Sequence, residues 1–189
     1  MNKTFIQLLF QTSFKGSKSR TLSELIVMIN KKAIHIREIT PYDLELLTNF
    51  LQHNDIAKIK RQFNPFPLTR NTAYQIACEN HINKYYSAIF EKKIIGLGML
   101  RGWDEGFSIQ SLGLLIDKDF QGRGLGKSML EYLLDEAKRL GNTRIRLTVY
   151  ATNETAVNLY KSAGFIELSR TLIHINGEDD EKILMCKEL

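Results

Sequence analysis

The sequence has few cysteines and no long apolar run. Its 189 residues include two cysteines, Cys78 and Cys186, which have no metal-ligand spacing and are too few for a disulfide framework. Apolar stretches such as residues 25–29 fall far short of the roughly 20 residues that span a bilayer. Residues 5–10 follow a single lysine and precede no small-residue cleavage site, which disfavours a secretory signal. These absences predict a cytoplasmic protein with free thiols.

Patterns typical of metal centres and of serine hydrolases are missing as well. His35, His53, His81 and His174 fall in separate predicted elements, and no group of histidines, cysteines and acids has ligand spacing. The sequence therefore predicts no metal site and gives the histidines surface or structural roles. It also lacks the Gly-x-Ser-x-Gly pattern of a nucleophile elbow, which disfavours a hydrolase.

The positive charge of the chain is confined to its N-terminal part. Residues 1–33 carry six basic side chains and one acid, whereas residues 34–189 carry 20 of each sign. We therefore predict a basic N-terminal extension over 1–33 and a single domain over 34–189. In the extension, Thr21 or Ser23 is predicted to cap a short helix over 25–29. A solvated arm is the favoured interpretation, and a tether to nucleic acid or a membrane surface is the alternative.

From Ile34 onward, hydrophobic periodicity predicts an alternation of strands and helices. The predicted order is β-α-α-β-β-β-α-β-α-β-β. Strands are predicted over 34–39, 85–90, 94–100, 107–116, 144–150, 165–169 and 182–189. Helices are predicted over 41–51, 69–83, 125–140 and 154–163. Pro65 and Pro67 break the chain between the first two helices. These helices and the segment 64–68 are predicted to shape a substrate pocket.

A glycine-rich segment between a predicted strand and a predicted helix is the most informative feature. Gly122, Gly124 and Gly126 lie directly before and at the start of the helix. Glycine lets the backbone approach a ligand closely, and the free amides of a first helical turn bind anions. Arg123 and Lys127 add positive charge. The segment therefore predicts a phosphate-binding loop.

Two common phosphate loops do not fit this segment. A P-loop ending at Lys127 needs its first glycine at position 121, which is Gln121. A dinucleotide fingerprint that starts at Gly122 needs a third glycine at position 127, and it needs an acid about 20 residues further on, where the chain has an apolar strand. Both interpretations are therefore disfavoured.

Two segments instead carry a resemblance to a known family. Residues 121–126 have the pattern Gln-x-x-Gly-x-Gly, and residues 153–165 place Asn153, Tyr160 and the pair Gly164-Phe165 at matching spacing. Together they resemble the GNAT superfamily of acyl-CoA-dependent N-acyltransferases, specifically over 112–165 and in element order over 34–189. The resemblance implies a mixed α/β (α+β) fold in one domain, with a mostly antiparallel central sheet flanked by helices. It also implies a splayed parallel strand pair at 108–116 and 144–150.

The resemblance implies that acetyl-CoA is the cosubstrate and that its pantetheine arm lies in the gap between those two strands. The residues implied to contact it are Leu114, Leu115, Ile116, Gln121, Gly122, Arg123, Gly124, Leu125, Gly126, Lys127, Asn153 and Tyr160. Core packing is the alternative for the residues at 114–116, and a purely capping role is the alternative for Asn153.

The resemblance further implies that Tyr160 is the general acid that protonates the departing thiolate, with a core aromatic as the alternative. The general base is open, because Thr148 stands where some relatives carry a glutamate. Asp104 and Glu105, in a loop with Trp103, are candidates, and so is a relay through water. An oxyanion contact is expected from a backbone amide near Leu114.

The implied reaction is direct acetyl transfer to an amine. Residues 102–106 resemble a loop of family members that modify sugars, which favours a small amine such as an amino sugar over a protein N-terminus. A non-catalytic, acyl-CoA-binding regulatory module is the competing hypothesis, because the strand glutamate is missing. We expect a monomer or homodimer without a membrane partner, and nucleic-acid binding is disfavoured.

Overall fold

The computed structural model describes residues 8–9, 25–29, 32–79, 82–175 and 178–189. The strands in these ranges are β1 (Leu8–Leu9), β2 (Leu25–Ile29), β3 (Lys32–Glu38), β4 (Lys84–Phe90), β5 (Lys93–Arg101), β6 (Ser111–Ile116), β7 (Arg144–Tyr150), β8 (Ile166–Ile175) and β9 (Glu178–Glu188). The α-helices are α1 (Leu44–His53), which follows a 3-10 turn at Pro41–Asp43, then α2 (Ala57–Gln62), α3 (Arg70–Cys78), α4 (Leu125–Arg139) and α5 (Glu154–Ser162).

The described strands form one sheet in the order β1-β2-β3-β4-β5-β6-β7-β9-β8. Strands β6 and β7 are parallel neighbours, whereas the other described pairs are antiparallel. Glu91 and Lys92 join β4 to β5 with φ values of 46° and 62°, as a tight hairpin turn requires. The predicted mixed fold, with a mostly antiparallel sheet and one parallel pair, is confirmed.

Helices cover both faces of the sheet, because alternate side chains of each central strand point to opposite sides. On one face, Leu115 of β6 joins a core cluster with Leu47 and Leu51 of α1. On the other face, Leu112 of β6 joins a cluster with Leu133 of α4. Burial on both sides holds β6 rigidly in the middle of the molecule.

The buried face and the last turn of helix α4 follow from its own sequence pattern. Met129, Leu130 and Leu133 recur at helical spacing and are at most 1% exposed. Lys138 and Arg139 lie in the last turn, where positive charge opposes the negative end of the helix dipole. This packing fixes the start of α4, and with it the glycine-rich loop, against the sheet.

The helix predicted over 25–29 is wrong. These residues form β2, which pairs antiparallel with β3 through partners such as Leu25 with Ile36 and Met28 with Ala33. A short apolar run does not distinguish helix from strand by periodicity, and pairing with an adjacent strand decides the outcome. The sheet thus continues across the predicted domain boundary between residues 33 and 34, and the boundary itself stays a prediction.

Several other elements differ from the predicted bounds. Helix α3 ends at Cys78 rather than at residue 83, and β6 begins at Ser111 rather than at residue 107. Strands β8 and β9 form a longer hairpin than predicted, and α2 was not predicted. These differences fall at element ends and in the segment 57–62, where few periodic apolar residues mark a helix.

Candidate active site

A gap opens between β6 and β7 in the middle of the sheet. The two strands share one pair in register, Ser111 with Arg146, and the amide of Arg146 donates to the carbonyl of Gln110 at 3.0 Å. Beyond this point the described strands do not pair, and both line a cavity of about 810 Å³, through residues 111–116 and 148–150. The predicted splayed pair is therefore present, with its closed end at Ser111.

The backbone of β6 presents polar groups to this gap. The amide of Asp117 donates to the carbonyl of Ile95 in β5 at 3.0 Å. Because strand residues alternate in direction, the backbone groups of Leu115 also point toward β5, whereas those of Leu114 and Ile116 point into the gap. The side-chain amide of Gln121 donates to the carbonyl of Ile116 at 3.3 Å, on the gap side. Leu114 and Ile116 can therefore make the predicted backbone contacts with pantetheine. Leu115 cannot, because its backbone groups point toward β5.

The glycine-rich loop continues from the gap into the first turn of α4. Gly122 and Gly124 have φ values of 74° and 82°, a left-handed conformation that favours glycine. No backbone amide of residues 121–126 donates a hydrogen bond to another group of the described structure. Such free amides at the positive end of a helix dipole form an anion-binding site.

Gly126 is not required by the fold. A Cβ atom at this position would lie 3.6 Å from Leu159 and 3.8 Å from Ile116, which are ordinary van der Waals distances. Gly126 lines the cavity. The structure therefore has room for a small side chain there, as expected where glycine serves a ligand rather than the protein.

Three predicted contact residues near the loop have different surroundings. The guanidinium of Arg123 donates to the carbonyl of Asp119 at 2.8 Å and lies 5.0 Å from the centre of the Phe120 ring, outside the cavity lining. Leu125 is 1% exposed and belongs to the core. Lys127 lines the cavity and is exposed. Of the three side chains, only that of Lys127 lies where a cavity ligand could reach it.

Helix α5 closes the gap on another side. Tyr160 lines the cavity, is 6% exposed, and packs edge-to-face against Phe165 with ring centres 5.7 Å apart. Burial raises the pKa of Tyr160 to about 12. Asn153 caps α5 by accepting from the amide of Ala156 at 3.3 Å, and it also lines the cavity. Both predicted residues therefore combine a structural role with access to the cavity.

The two candidate bases are held by structural hydrogen bonds. Asp104 accepts from the amide of Ile82 at 3.2 Å and is not part of the cavity lining. Glu105 lines the cavity, but Arg101 donates to it at 2.6 Å and Asn83 at 3.3 Å. Burial acts to raise the pKa of Glu105, yet these hydrogen bonds outweigh it and lower the pKa. A carboxylate with a lowered pKa is a weak base.

The structure also brings residues to the cavity that sequence reasoning missed. They come from α2, from the start of α5 and from β9, and they are Lys58, Ile59, Gln62, Glu154 and Lys182. Helix α2 carried no recognisable signal in the sequence, so its approach to β6 could not be foreseen. The predicted segment 64–68 does contribute, through Asn64 and Pro65.

A histidine and two aspartates meet beside the loop. Nε2 of His53 lies 2.8 Å from Asp119 and 3.8 Å from Asp117, and one ligand atom of each residue lies within 4.8 Å of the others. Hydrogen bonds from His53 and Lys118 lower the pKa of Asp119. Sequence spacing could not reveal this group, because α1 brings His53 across 64 residues to Asp117. Asn54, Lys118 and the backbone amide of Asp119 already donate to the carboxylates.

A family model described as the acetyltransferase (GNAT) family matches residues 53–165, a range that contains the gap, the loop and α5. The chain belongs to this family. The predicted family and fold are confirmed.

Relatives of this GNAT chain include two bacterial proteins of known class. A [ribosomal protein bS18]-alanine N-acetyltransferase of Salmonella typhimurium is 46% identical over 54 residues, which are 29% of this chain and 36% of the relative. The chain thus matches about a third of the length of that relative. A probable spermine N(1)-acetyltransferase of Bacillus subtilis subsp. natto is 34% identical over 123 residues, covering 60% of this chain and 75% of the relative.

A solved structure supports the same fold. A ribosomal L7/L12 alpha-N-protein acetyltransferase in complex with coenzyme A aligns with a TM-score of 0.71 at 14% identity, over 87% of this chain and 98% of that one. No helix in the described ranges combines the length and apolar character needed to cross a membrane.

Proposed function

We propose that this GNAT protein transfers an acetyl group from acetyl-CoA directly to an amine. The observation that carries the proposal is the continuity between the open gap of β6 and β7 and the free amides of residues 121–126. An extended pantetheine fits along a strand that offers backbone groups, and a pyrophosphate fits a helix N-terminus. Gln121, Gly122, Gly124, Gly126 and Lys127 would then hold the pyrophosphate.

The acetyl transfer needs three events, and the cavity offers a group for two of them. The neutral amine attacks the thioester carbonyl, and the amide of Leu114, which points into the gap, would stabilise the oxyanion. The carbon–sulfur bond then breaks, and Tyr160 donates a proton to the departing thiolate. One of the two protons on the attacking nitrogen leaves to water, because Glu105 is engaged with Arg101, and a proton from water restores the Tyr160 hydroxyl.

The acceptor that we propose is an amine, and two classes of amine are candidates. A small amine such as an amino sugar and a protein N-terminus both fit an open cavity of this size. The similarity to a ribosomal-protein alanine acetyltransferase and to a spermine acetyltransferase supports an amine as the acceptor. Cytoplasmic location and a monomeric or homodimeric state stay predictions.

A binding module without activity is the second candidate. It is favoured by Thr148, which lines the cavity where some relatives carry a glutamate, and by the base candidate Glu105, which also lines the cavity but is paired with Arg101. The placement of Tyr160 in the cavity supports the enzyme instead.

Thiol release from acetyl-CoA, measured with a panel of amines, tests the proposal. We expect release that depends on the amine and that forms the N-acetylated product. Acetyl-CoA binding by calorimetry without turnover of any amine would favour the binding module.

A further inference from the structure

One wall of the cavity comes from a strand that does not border the gap. The sheet order is β5-β6-β7, so β6 lies between β5 and the gap. Met99 of β5 nevertheless lines the cavity. Its partner in register on β6 is Gly113, which lines the cavity as well. The side chain of Met99 therefore reaches the cavity across β6.

The absence of a side chain at Gly113 explains this reach. A Cβ atom at residue 113 would lie 2.6 Å from Cε and 3.2 Å from Cγ of Met99, so the methionine occupies the space that a side chain there would fill. The neighbouring pair in register shows the opposite case. Leu97 of β5 is paired with Leu115 of β6, and Leu97 is 0% exposed and not part of the cavity lining. A leucine on β6 screens the β5 residue behind it, whereas Gly113 does not.

Met99 lies on the face of the sheet that α2 covers. It shares a core cluster with Leu115 of β6 and Ile59 of α2. Tyr160 and Leu125, the first residue of α4, belong to the cluster on the other face. The gap thus connects the two faces of the sheet, with the start of α4 and Tyr160 on one side and Met99 on the other.

The acetyl transfer proposed above puts the thioester carbonyl beside the amide of Leu114. This amide belongs to the peptide group that joins Gly113 to Leu114, so the carbon chain of the acyl group begins at the level of Gly113. Along the gap, the chain runs toward the closed end, where Ser111 is paired with Arg146. Across β6, above Gly113, it meets the side chain of Met99.

We propose that Met99 sets the limit on the length of the acyl group, and that Gly113 gives Met99 its access to the cavity. The proposal rests on the acetyl transfer proposed above. An acetyl group ends at its methyl carbon, whereas a butyryl group extends into the space that Met99 fills. Because methionine is unbranched and flexible, the limit is graded, and a propionyl group is accepted better than a butyryl group.

The reaction is the same for each acyl group. The bond between the acyl carbon and the amine nitrogen forms, and the bond between the acyl carbon and sulfur breaks. Tyr160 protonates the thiolate, one proton of the attacking nitrogen leaves to water, and a proton from water restores the tyrosine. A longer acyl group adds methylenes and changes none of these steps.

The test compares kcat/KM for acetyl-, propionyl- and butyryl-CoA with one acceptor amine. We expect kcat/KM to fall with chain length, with butyryl-CoA at least about tenfold below acetyl-CoA, the effect of a methylene that does not fit. Met99→Ala should lower this preference for acetyl-CoA at least about fivefold, because it removes the wall. Met99→Leu keeps the core volume but ends one atom short of Cε, so it should lower the preference by a smaller factor.

A double variant makes the test specific to the wall. In the Met99→Ala background, Gly113→Ala places a methyl group 2.6 Å from the position that Cε vacates. It should therefore restore most of the preference for acetyl-CoA, which a general loosening of the core would not do. Leu97→Ala is the matched control, because it truncates a residue of the same strand and core cluster that does not line the cavity. It should leave the preference unchanged.

Three results would overturn the proposal. The first is equal kcat/KM for the three cosubstrates in the wild type. The second is a preference that stays unchanged in Met99→Leu and in folded Met99→Ala, or that falls equally in Leu97→Ala. The third is a change in the preference among amines, with acetyl-CoA held constant, while the preference among acyl groups stays the same. That result would place Met99 against the acceptor.

The outcome is separable from that of the proposed function. If no amine is acylated, the function fails, and calorimetry with the three acyl-CoA thioesters then decides the acyl limit. We expect butyryl-CoA to bind more weakly than acetyl-CoA in the wild type, and the two to bind equally in Met99→Ala. Equal affinities in the wild type would overturn the inference.

Discussion

Among single residues, Tyr160 is the one whose pKa constrains the mechanism most strongly. With a pKa of about 12, its hydroxyl keeps its proton throughout the ordinary assay range. A thiol has a pKa of about 8.5 in water, so proton transfer from Tyr160 to a solvated thiolate would be uphill by about 5 kcal/mol. Desolvation in the gap raises the pKa of the thiol as well. Proton donation by Tyr160 therefore requires the thiolate to form inside the gap, where it is not solvated.

Replacing Tyr160 tests this role. Tyr160→Phe should lower kcat by about 10²- to 10⁴-fold, because the departing thiolate loses its proton donor, while the affinity for acetyl-CoA stays nearly unchanged. Phe165→Leu is a control that alters the same aromatic contact without removing a hydroxyl. Single-turnover kinetics and calorimetry provide the two readouts. If kcat is unchanged while the chemical step limits the rate, Tyr160 is a core aromatic residue and not the general acid.

The pH dependence tests the absence of a positioned base. An alkyl amine with a pKa of about 10.4 is neutral to about one part in a thousand at pH 7.4. We expect kcat/KM to rise with pH along a limb set by the acceptor's own pKa, with no fall caused by Tyr160 below about pH 11.

Carboxylate variants complete that pH experiment. Asp104→Asn and Glu105→Gln should each change kcat/KM by less than about tenfold, below the range for a positioned general base. The profile is measured for two amines of different pKa in the wild type and both variants. A limb that stays fixed across amines and disappears in one variant would identify that residue as the base.

At the scale of elements, the glycine-rich loop and the first turn of α4 act as one unit. The left-handed backbone at Gly122 and Gly124 turns successive amides away from the protein, and α4 adds its dipole. This arrangement does not depend on Arg123, which packs against Phe120 instead. Arg123→Ala should therefore weaken acetyl-CoA binding only mildly.

Gly126→Val tests the loop as a backbone site. A Cβ atom at this position meets only Leu159 and Ile116, at ordinary distances. We therefore expect the fold to survive and the branched side chain to abolish measurable acetyl-CoA binding by blocking close approach. Lys138→Val places the same side chain on the exposed face of α4 and controls for the lower helix propensity of valine. Calorimetry and circular dichroism are the readouts. Normal affinity in folded Gly126→Val would exclude a pyrophosphate at this loop.

How far the sequence predicts these elements depends on how strongly each is patterned. Helix α4 and strand β7 match their predicted positions. Apolar residues recur with a period of 3.6 residues along the helix and of two residues along the strand. Strand β2 was wrongly predicted as a helix, because only its pairing with β3 distinguishes the two. The loop and Tyr160 were found from local spacing, whereas Lys58 and the group at His53 arise from contacts between distant segments.

At the scale of the whole molecule, the cavity lies in the middle of the sheet and far from its N-terminal edge. Strand β2 is separated from β6 by β3, β4 and β5. Removing residues 1–31 leaves β3 paired with β4, so the site should be intact while the sheet loses its outer strands. The domain predicted over 34–189 can therefore be tested by truncation.

We expect the truncated chain to bind acetyl-CoA within about twofold of the full chain and to unfold at a lower temperature, because its outer β-strand pairing is lost. Calorimetry and thermal denaturation give the two values. Removing β9 is the contrasting truncation, since β9 pairs with both β7 and β8 and its loss should prevent folding. A folded chain of residues 32–189 that no longer binds acetyl-CoA would show that the N-terminal segment belongs to the site.

The central claim is direct transfer of the acetyl group to an amine in the gap between β6 and β7. The most direct measurement quantifies free coenzyme A thiol and N-acetylated amine in the same reaction over time. We expect equal amounts of both, with each reduced in parallel in Tyr160→Phe. Thiol release without an N-acetylated product, across the whole amine panel, would contradict it.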